Sequence, residues 1–171
     1  SSDPSNELEL QEIVELISFS DENLKQALLG NQMVIDTNGD GEISTCEAIL
    51  FDGELGLVAK NINSLADLVH FENASVLDAR DNAITDVSPL TDLQFETIAL
   101  DFNTLVDFNM GGNENLRRLF LSNNQLSSID LTLFPNLEDL ILLGNQITTI
   151  DLSNNPNLES LSASNNQIAL K

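Results

Sequence analysis

The chain is poor in basic side chains. Among its 171 residues, 28 are acidic and only 6 are Lys or Arg, which gives a net charge of −22. A protein this negative is repelled by the phosphates of nucleic acids and by anionic lipid surfaces, which excludes a nucleic-acid-binding function. The same charge suits the binding of cations or of a basic partner.

Cysteine, histidine, long apolar runs and catalytic motifs are also scarce or absent, and each restricts the classes of function that are possible. Cys46 is the single cysteine, so no disulfide can form within the chain, which fits a reducing compartment and equally an exported protein that uses calcium instead. No apolar run reaches the roughly 18 residues of a membrane-spanning helix. The lone His70 is expected to be an ordinary surface or loop residue. Because no hydrolase elbow, phosphate-binding loop, dinucleotide-binding loop or zinc spacing occurs, the sequence predicts a protein that is not an enzyme.

What the chain does contain is a recurring pattern of leucines followed by an asparagine. Residues 116–126 read L-x-x-L-x-L-x-x-N-x-L, and the asparagines of successive copies stand 21 residues apart: Asn82, Asn103, Asn124, Asn145 and Asn166. Side chains alternate along a short strand, so the leucines point inward. An asparagine amide both donates and accepts hydrogen bonds, so it can pair the backbone of the turn that follows.

One such repeat cannot bury its apolar face alone, so the repeats are expected to stack. The pattern therefore predicts a leucine-rich repeat solenoid over residues 54–171, with short parallel β-strands, a mostly non-helical convex side and about six repeats of 21–22 residues. The first repeat is imperfect, because Lys60 takes the place of the asparagine.

The N-terminal part predicts a helical cap over residues 7–53, preceded by a flexible polar tail at 1–6. Apolar residues recur at helical spacing from Glu7 to Ile17, and Ser20 is expected to cap a second helix that begins at Asp21. A solenoid needs such a cap because its first repeat would otherwise expose the leucine core.

Residues 36–47 within this cap match the EF-hand calcium loop. Calcium takes about six to eight oxygen ligands. The predicted Ca²⁺ ligands are Asp36, Asn38, Asp40, Glu42 through its carbonyl, Ser44 and Glu47. An acidic surface turn is the alternative. Because calcium sensors carry such loops in pairs and this chain has one, we expect the ion to stabilise the cap rather than to switch it.

Taken together, the repeats and the cap resemble bacterial surface leucine-rich repeat proteins of the internalin type. Residues 21–47 also resemble the cap of leucine-rich repeat lipoproteins exported by Bacteroidetes, in which N-L-K-x-x-L-L leads into D-T-N-G-D-G-E-I-S. The resemblance covers residues 21–170 and implies a protein-binding, accessory lipoprotein subunit of an envelope complex on the outer membrane. The polar stretch 1–6 is similar to the tether that follows a lipidated cysteine. Lys60 and the absence of a C-terminal cap depart from the family pattern.

Two surfaces are predicted to bind a partner protein. On the concave face, Phe120, Ile141 and Leu143 adjoin in the outward strand columns beside Arg118. Aromatic and arginine side chains are common anchors of interfaces, whereas ordinary surface scatter is the alternative. A carbohydrate-adhesion or nutrient-capture module and an intracellular scaffold are the alternative functions.

The second surface is the C-terminal edge of the solenoid. An uncovered last repeat exposes its leucine core and unpaired strand groups. We therefore expect either that the chain continues or that this edge contacts a partner through Leu161, Ile168 and Leu170.

Overall fold

The structure, a computed structural model, describes residues 15–30 and 33–169. Two α-helices come first, α1 (Glu22–Gly30) and α2 (Thr45–Leu50). The strands that follow in this part of the chain are β1 (Glu54–Gly56), β2 (Val76–Asp78), β3 (Thr97–Ala99), β4 (Arg118–Phe120), β5 (Asp139–Ile141) and β6 (Ser160–Ser162). They form one parallel sheet in chain order, so each repeat pairs only with its neighbours.

Strand register confirms the repeat phase that the asparagine spacing predicts. Leu119 in β4 pairs with Ile98 in β3 and with Leu140 in β5, each 21 residues away. These middle residues are buried, whereas the residues on either side of them are mostly half-buried or exposed. The solenoid core is therefore a stack of equivalent apolar side chains behind the sheet.

The repeat asparagines form a hydrogen-bonded ladder. The side-chain amide of Asn124 donates to the carbonyls of Leu100 and Leu121 at 3.0 and 3.1 Å, and its Oδ1 accepts the N–H of Leu105 at 3.0 Å. One side chain thereby pairs backbone groups of its own repeat and of the preceding one. Equivalent bonds are made by Asn82, Asn103, Asn145 and Asn166.

The first repeat tolerates Lys60 because each ladder asparagine hydrogen-bonds the backbone of the repeat before its own. Asn82 Oδ1 accepts the N–H groups of Lys60 and Ile62 at 3.1 and 2.9 Å. The turn of the first repeat is therefore completed by the asparagine of the second. The offset between these two repeats is 22 residues, since Leu55 pairs with Leu77.

The convex side carries no α-helix in the described residues, as predicted, but it contains short 3₁₀ helices at Ala66–His70, Ser88–Leu90 and Leu131–Leu133. Leu90 and Leu131 are buried by these turns. Gly111 lies against the neighbouring repeat so closely that a Cβ there would come within 2.8 Å of the Thr91 carbonyl oxygen. Glycine is therefore required at this close approach.

The cap differs from the prediction at its N-terminal side. Most of the first predicted helix and the whole tail 1–6 lie outside the described residues. Ile17, predicted on a helix, lies in an extended segment instead, where its N–H donates to the carbonyl of Ile43 at 2.9 Å and Leu16 bridges antiparallel to Ser44. This pairing satisfies backbone groups of the loop that a helix could not reach.

Asp21, rather than Ser20, is the N-cap of α1. Its Oδ1 accepts the N–H groups of Asn23 and Leu24 at 2.9 and 3.2 Å. Its Oδ2 accepts those of Asn63 and Ser64 in the first repeat at 2.7 and 3.0 Å. Ser20 instead donates its N–H and hydroxyl to Asp67. One carboxylate thus both begins the helix and joins the cap to the solenoid.

Candidate functional site

The predicted calcium loop is folded by hydrogen bonds between its polar side chains and its own backbone. The two carboxylate oxygens of Asp36 accept the N–H groups of Gly39 at 2.7 Å and Gly41 at 3.0 Å. Asn38 Oδ1 accepts the N–H of Asp40 at 2.8 Å. Both glycines have left-handed φ values, +76° and +81°, which most other residues adopt only with strain. These bonds hold the oxygens of Asp36, Asn38 and Asp40 within one tight turn.

Glu47 closes the loop from its far end. Its Oε1 accepts the N–H and the hydroxyl of Thr37 at 2.9 and 3.0 Å, and its Oε2 accepts those of Ser44 at 2.9 and 2.8 Å. Ser44 Oγ accepts the Glu47 N–H in return, a capping box at the start of α2. Burial raises the pKa of Glu47, but the bonds from Ser44 and Thr37 outweigh it and lower the pKa to about 2. The side chain is therefore ionised at neutral pH.

The donor set fits a hard divalent cation, because calcium is bound by carboxylate, amide and carbonyl oxygens. The arrangement of Glu47 is nevertheless that of the capping box, and no three acidic, His or Cys side chains converge on one point in residues 15–30 and 33–169. Since the bonds from Thr37 and Ser44 use the roughly four lone-pair positions of the Glu47 carboxylate, an ion bound by both its oxygens would replace them. The predicted ligand atom of Glu42 is its backbone carbonyl oxygen. Its side-chain carboxylate forms an ion pair with Lys25 at 2.7 Å.

On the concave face, two neighbouring depressions share Arg80 and Phe102 in their lining. The larger, of about 490 Å³, brings together three of the predicted partner-binding residues; its lining is Arg80, Asp101, Phe102, Phe120, Ser122, Asn123, Ile141 and Leu143. The smaller, of about 410 Å³, is lined by Val58, Arg80, Asp81 and Phe102. Phe120, Ile141 and Leu143 therefore form one apolar surface, which we call the concave cluster.

Arg118 does not line either depression. Its Nε donates to Thr97 Oγ1 at 3.1 Å, one repeat back. The arginine that lines both depressions is Arg80, which forms a two-point ion pair with Asp78 at 2.7 and 2.6 Å. The hydrogen bond to Asp78 raises the pKa of Arg80, so the guanidinium stays protonated.

Phe102 is a surface residue that the strand columns missed, because it lies one position before the ladder asparagine. It is 59% exposed and its φ is +57°. The same position in the other regular repeats holds residues that tolerate a left-handed backbone, namely Asp81, Asn123, Gly144 and Asn165. In the sequence, a phenylalanine at a repeat position that otherwise holds Asp, Asn or Gly is the feature that could have identified Phe102 as a surface residue.

The predicted edge residues are separate from these depressions. Leu161 and Ile168 expose 42% and 39% of their surface and line neither one, and Leu170 lies outside the described residues. Within the ranges that the structure describes, no helix has the length and apolar character needed to cross a lipid bilayer.

A family model described as "Leucine Rich repeats (2 copies)" matches residues 114–155. Similar solved structures include two internalins of Listeria monocytogenes. InlF shares 23% identity at a TM-score of 0.71, with 93% of this chain and 48% of that chain covered. The functional domain of InlJ shares 24% identity at a TM-score of 0.64, with 76% and 29% covered.

A leucine-rich repeat protein of Leptospira interrogans shares 25% identity at a TM-score of 0.55, with 63% of this chain and 30% of that chain covered. This chain thus spans less than half the length of these three proteins. No curated protein sequence matches it. These likenesses show how the chain is folded.

Proposed function

Since this chain is a leucine-rich repeat protein with internalin-like structural neighbours, we propose that it is a non-catalytic protein that binds another protein through its concave face. Leucine-rich repeat proteins mediate protein–protein interactions, and their curved surface is typically a binding scaffold. The observation that carries the proposal is the concave cluster, where Phe120, Ile141 and Leu143 line one depression. Contiguous apolar side chains on a protein surface mark interaction sites.

We further propose that the protein acts on a bacterial cell surface, as an accessory lipoprotein subunit of an envelope complex at the outer membrane. The likeness of residues 21–47 to the cap of exported lipoproteins supports this, and so does the polar stretch 1–6. Mass spectrometry of the N-terminus of the native protein tests the anchor. A diacylglyceryl cysteine before this stretch is the expected result, and an unmodified N-terminus would exclude the lipoprotein assignment.

A third part of the proposal is that residues 36–47 bind Ca²⁺ as a structural ion. Asp36, Asn38 and Asp40 would supply side-chain oxygens, Glu42 its carbonyl, Ser44 a water-mediated contact and Glu47 its carboxylate. The turn at Gly41 and the hydrogen bonds that gather the first three side chains support this assignment. The ion would neutralise acidic charge between α1 and α2 and so stabilise the cap.

Affinity capture from native envelope extracts tests protein binding. We expect the wild-type chain to retain a specific envelope protein, and the double variant Phe120→Ala/Leu143→Ala to lose it. Thr148→Ala, an exposed substitution outside the depressions, is the matched control. Loss with Ile168→Lys but not with the double variant would place the interface at the C-terminal edge instead. Capture of a cytoplasmic protein alone would favour an intracellular scaffold, and release by soluble glycans a carbohydrate module.

A further inference from the structure

Phe102 is unfavourable for folding in two ways. A bulky side chain is rarely accommodated at φ +57°, because its Cβ crowds the following carbonyl oxygen. The residue is also 59% exposed, so burial of its apolar surface offsets little of that strain. Other regular repeats avoid both costs with Asp, Asn or Gly. Residues held against local preference are concentrated at functional sites.

The position of Phe102 supports a binding role for it. Its side chain lines both depressions of the concave face, with Val58 beside it in one and Phe120 in the other. Phe102 thus extends the concave cluster toward the cap. A large, rigid aromatic side chain in the middle of an apolar strip is the usual form of an interface anchor.

The charges next to Phe102 are mainly acidic. One depression includes Asp81 and the other Asp101, and both include Arg80, whose charge is already neutralised by Asp78 at 2.6 Å. In the part of the chain that the structure describes, no basic nitrogen lies within ion-pair distance of Asp81 or Asp101. Asp78, Asp81 and Asp101 together with Arg80 give a net charge of −2 around the Phe102 ring.

We propose that Phe102 anchors a polypeptide segment of the partner in which an apolar side chain is flanked by Lys or Arg. This inference rests on the proposed function and specifies the partner chemistry of the same face. The apolar side chain would pack against Phe102 and the concave cluster, and the basic ones would lie next to Asp81 and Asp101. Matching charges of opposite sign across an interface give specificity and speed association.

An oligosaccharide fits this surface less well. Of the charged groups that line the larger depression, Arg80 is paired with Asp78, and one oxygen of Asp101 accepts the N–H of Ser122 at 2.8 Å. Four of the other six residues that line the larger depression are apolar, namely Phe102, Phe120, Ile141 and Leu143. Both features favour a protein segment.

A random peptide library, selected on the immobilised full chain, tests the inference. Because a net charge of −22 attracts any basic peptide, selection on Phe102→Asn provides the reference, since this variant keeps the charge and takes the residue found at Asn123 and Asn165. Val106→Asn, which removes an exposed apolar side chain outside both depressions, is the control. Binding of the enriched peptides is then measured by fluorescence anisotropy at low and high salt.

We expect the enriched peptides to combine apolar residues with Lys or Arg, to bind wild type and Val106→Asn alike, and to lose about tenfold or more in affinity for Phe102→Asn. Asp81→Asn/Asp101→Asn should weaken binding and reduce its salt dependence. The inference is overturned if no peptide distinguishes Phe102→Asn from wild type, or if those that do carry no excess of basic residues. If Phe102→Asn still captures the envelope protein that wild type captures, protein binding stands and only the anchor is wrong.

Discussion

The carboxylate of Asp21 accepts the backbone N–H of Asn63 at 2.7 Å, across 42 residues of sequence. The same oxygen accepts the N–H of Ser64, while the other oxygen caps α1. Burial raises the pKa of Asp21, but these backbone bonds outweigh it and hold the pKa below its ordinary value. One ionised side chain therefore both caps α1 and joins the cap to the first repeat.

Asp21→Asn should destabilise the protein by about 2 kcal/mol, because hydrogen bonds to a charged group are worth roughly 1.5–3 kcal/mol. Asparagine caps a helix as well as aspartate, so the variant keeps the cap and places an amide NH₂ against the donors of Asn63 and Ser64. The midpoint of urea unfolding measures the loss. Glu22→Gln, at the exposed residue that follows Asp21, should lower the unfolding free energy by well under 1 kcal/mol. Equal losses in the two variants would show that the bonds from Asp21 to the first repeat do not stabilise the protein.

Acid should remove the contribution of Glu47. Its pKa falls from 4.5 in the unfolded chain to about 2 in the folded protein, so the stabilisation is fully present above 4.5 and is lost as pH falls toward 2. Urea unfolding of wild type and Glu47→Gln in chelator, from neutral pH to pH 2, checks this. The difference in unfolding free energy between them should stay constant above pH 4.5 and shrink below it. A difference that does not change across this window would refute the assignment.

Calcium should raise the melting temperature of the wild-type protein. An ion that binds only the folded state adds about 2.7 kcal/mol at a hundredfold excess over its Kd. Glu47→Ala loses the capping box as well as a ligand, so the relevant quantity is the difference in melting temperature between calcium and chelator. This difference should disappear in Glu47→Ala and persist in Glu159→Ala, an exposed acid outside the loop. Unchanged melting of wild type in chelator would remove the structural-ion proposal.

The ladder asparagine Asn124 should be far more important for stability than an asparagine at the surface. Asn124→Ala leaves buried backbone groups of Leu100, Leu105 and Leu121 without their partner, at about 1–3 kcal/mol for each group left unpaired. Asn157→Ala removes one exposed side-chain bond of 3.3 Å and should cost less than about 0.5 kcal/mol. Chemical unfolding of both variants measures these losses. Similar losses of unfolding free energy in the two variants would contradict the role of the ladder asparagine in stability.

Replacing Phe102 should stabilise the protein even though it weakens binding. Phe102→Asn relieves the left-handed strain and should gain roughly 1 kcal/mol. The reciprocal variant Asn123→Phe places the same side chain at the same repeat position, φ +55°, and should lose a similar amount. Thermal unfolding compares the two. A Phe102→Asn protein less stable than wild type would show that the ring has a structural role.

The solenoid could be predicted in detail because its interactions are periodic. The spacing from Asn82 to Asn166 sets both the strand register and the ladder, since each asparagine pairs backbone groups at fixed offsets. Residues 36–47 give a local signal of the same kind, and calcium binding there stays a prediction. In contrast, the partners of Asp21 lie in the first repeat, and no local pattern at residues 20–24 indicates them, so Ser20 appeared the better cap.

The concave face was predictable only in part for a related reason. Strand alternation identifies the outward columns, and it found Phe120, Ile141 and Leu143. Phe102 follows the strand, at a corner whose left-handed φ does not obey that alternation. Arg118 lies in an outward column that flanks Phe120 but lines neither depression, whereas Arg80, which is paired with Asp78, lines both.

The asparagine ladder also gives the array a direction. Each turn is completed by the amide of the repeat that follows it, as the turn at Lys60 is by Asn82 and that at Leu105 is by Asn124. Loss of order at any repeat therefore leaves the turn of its N-terminal neighbour without the amide that completes it. At the cap this direction reverses, because Asp21 of the cap accepts the N–H groups of Asn63 and Ser64 in the first repeat.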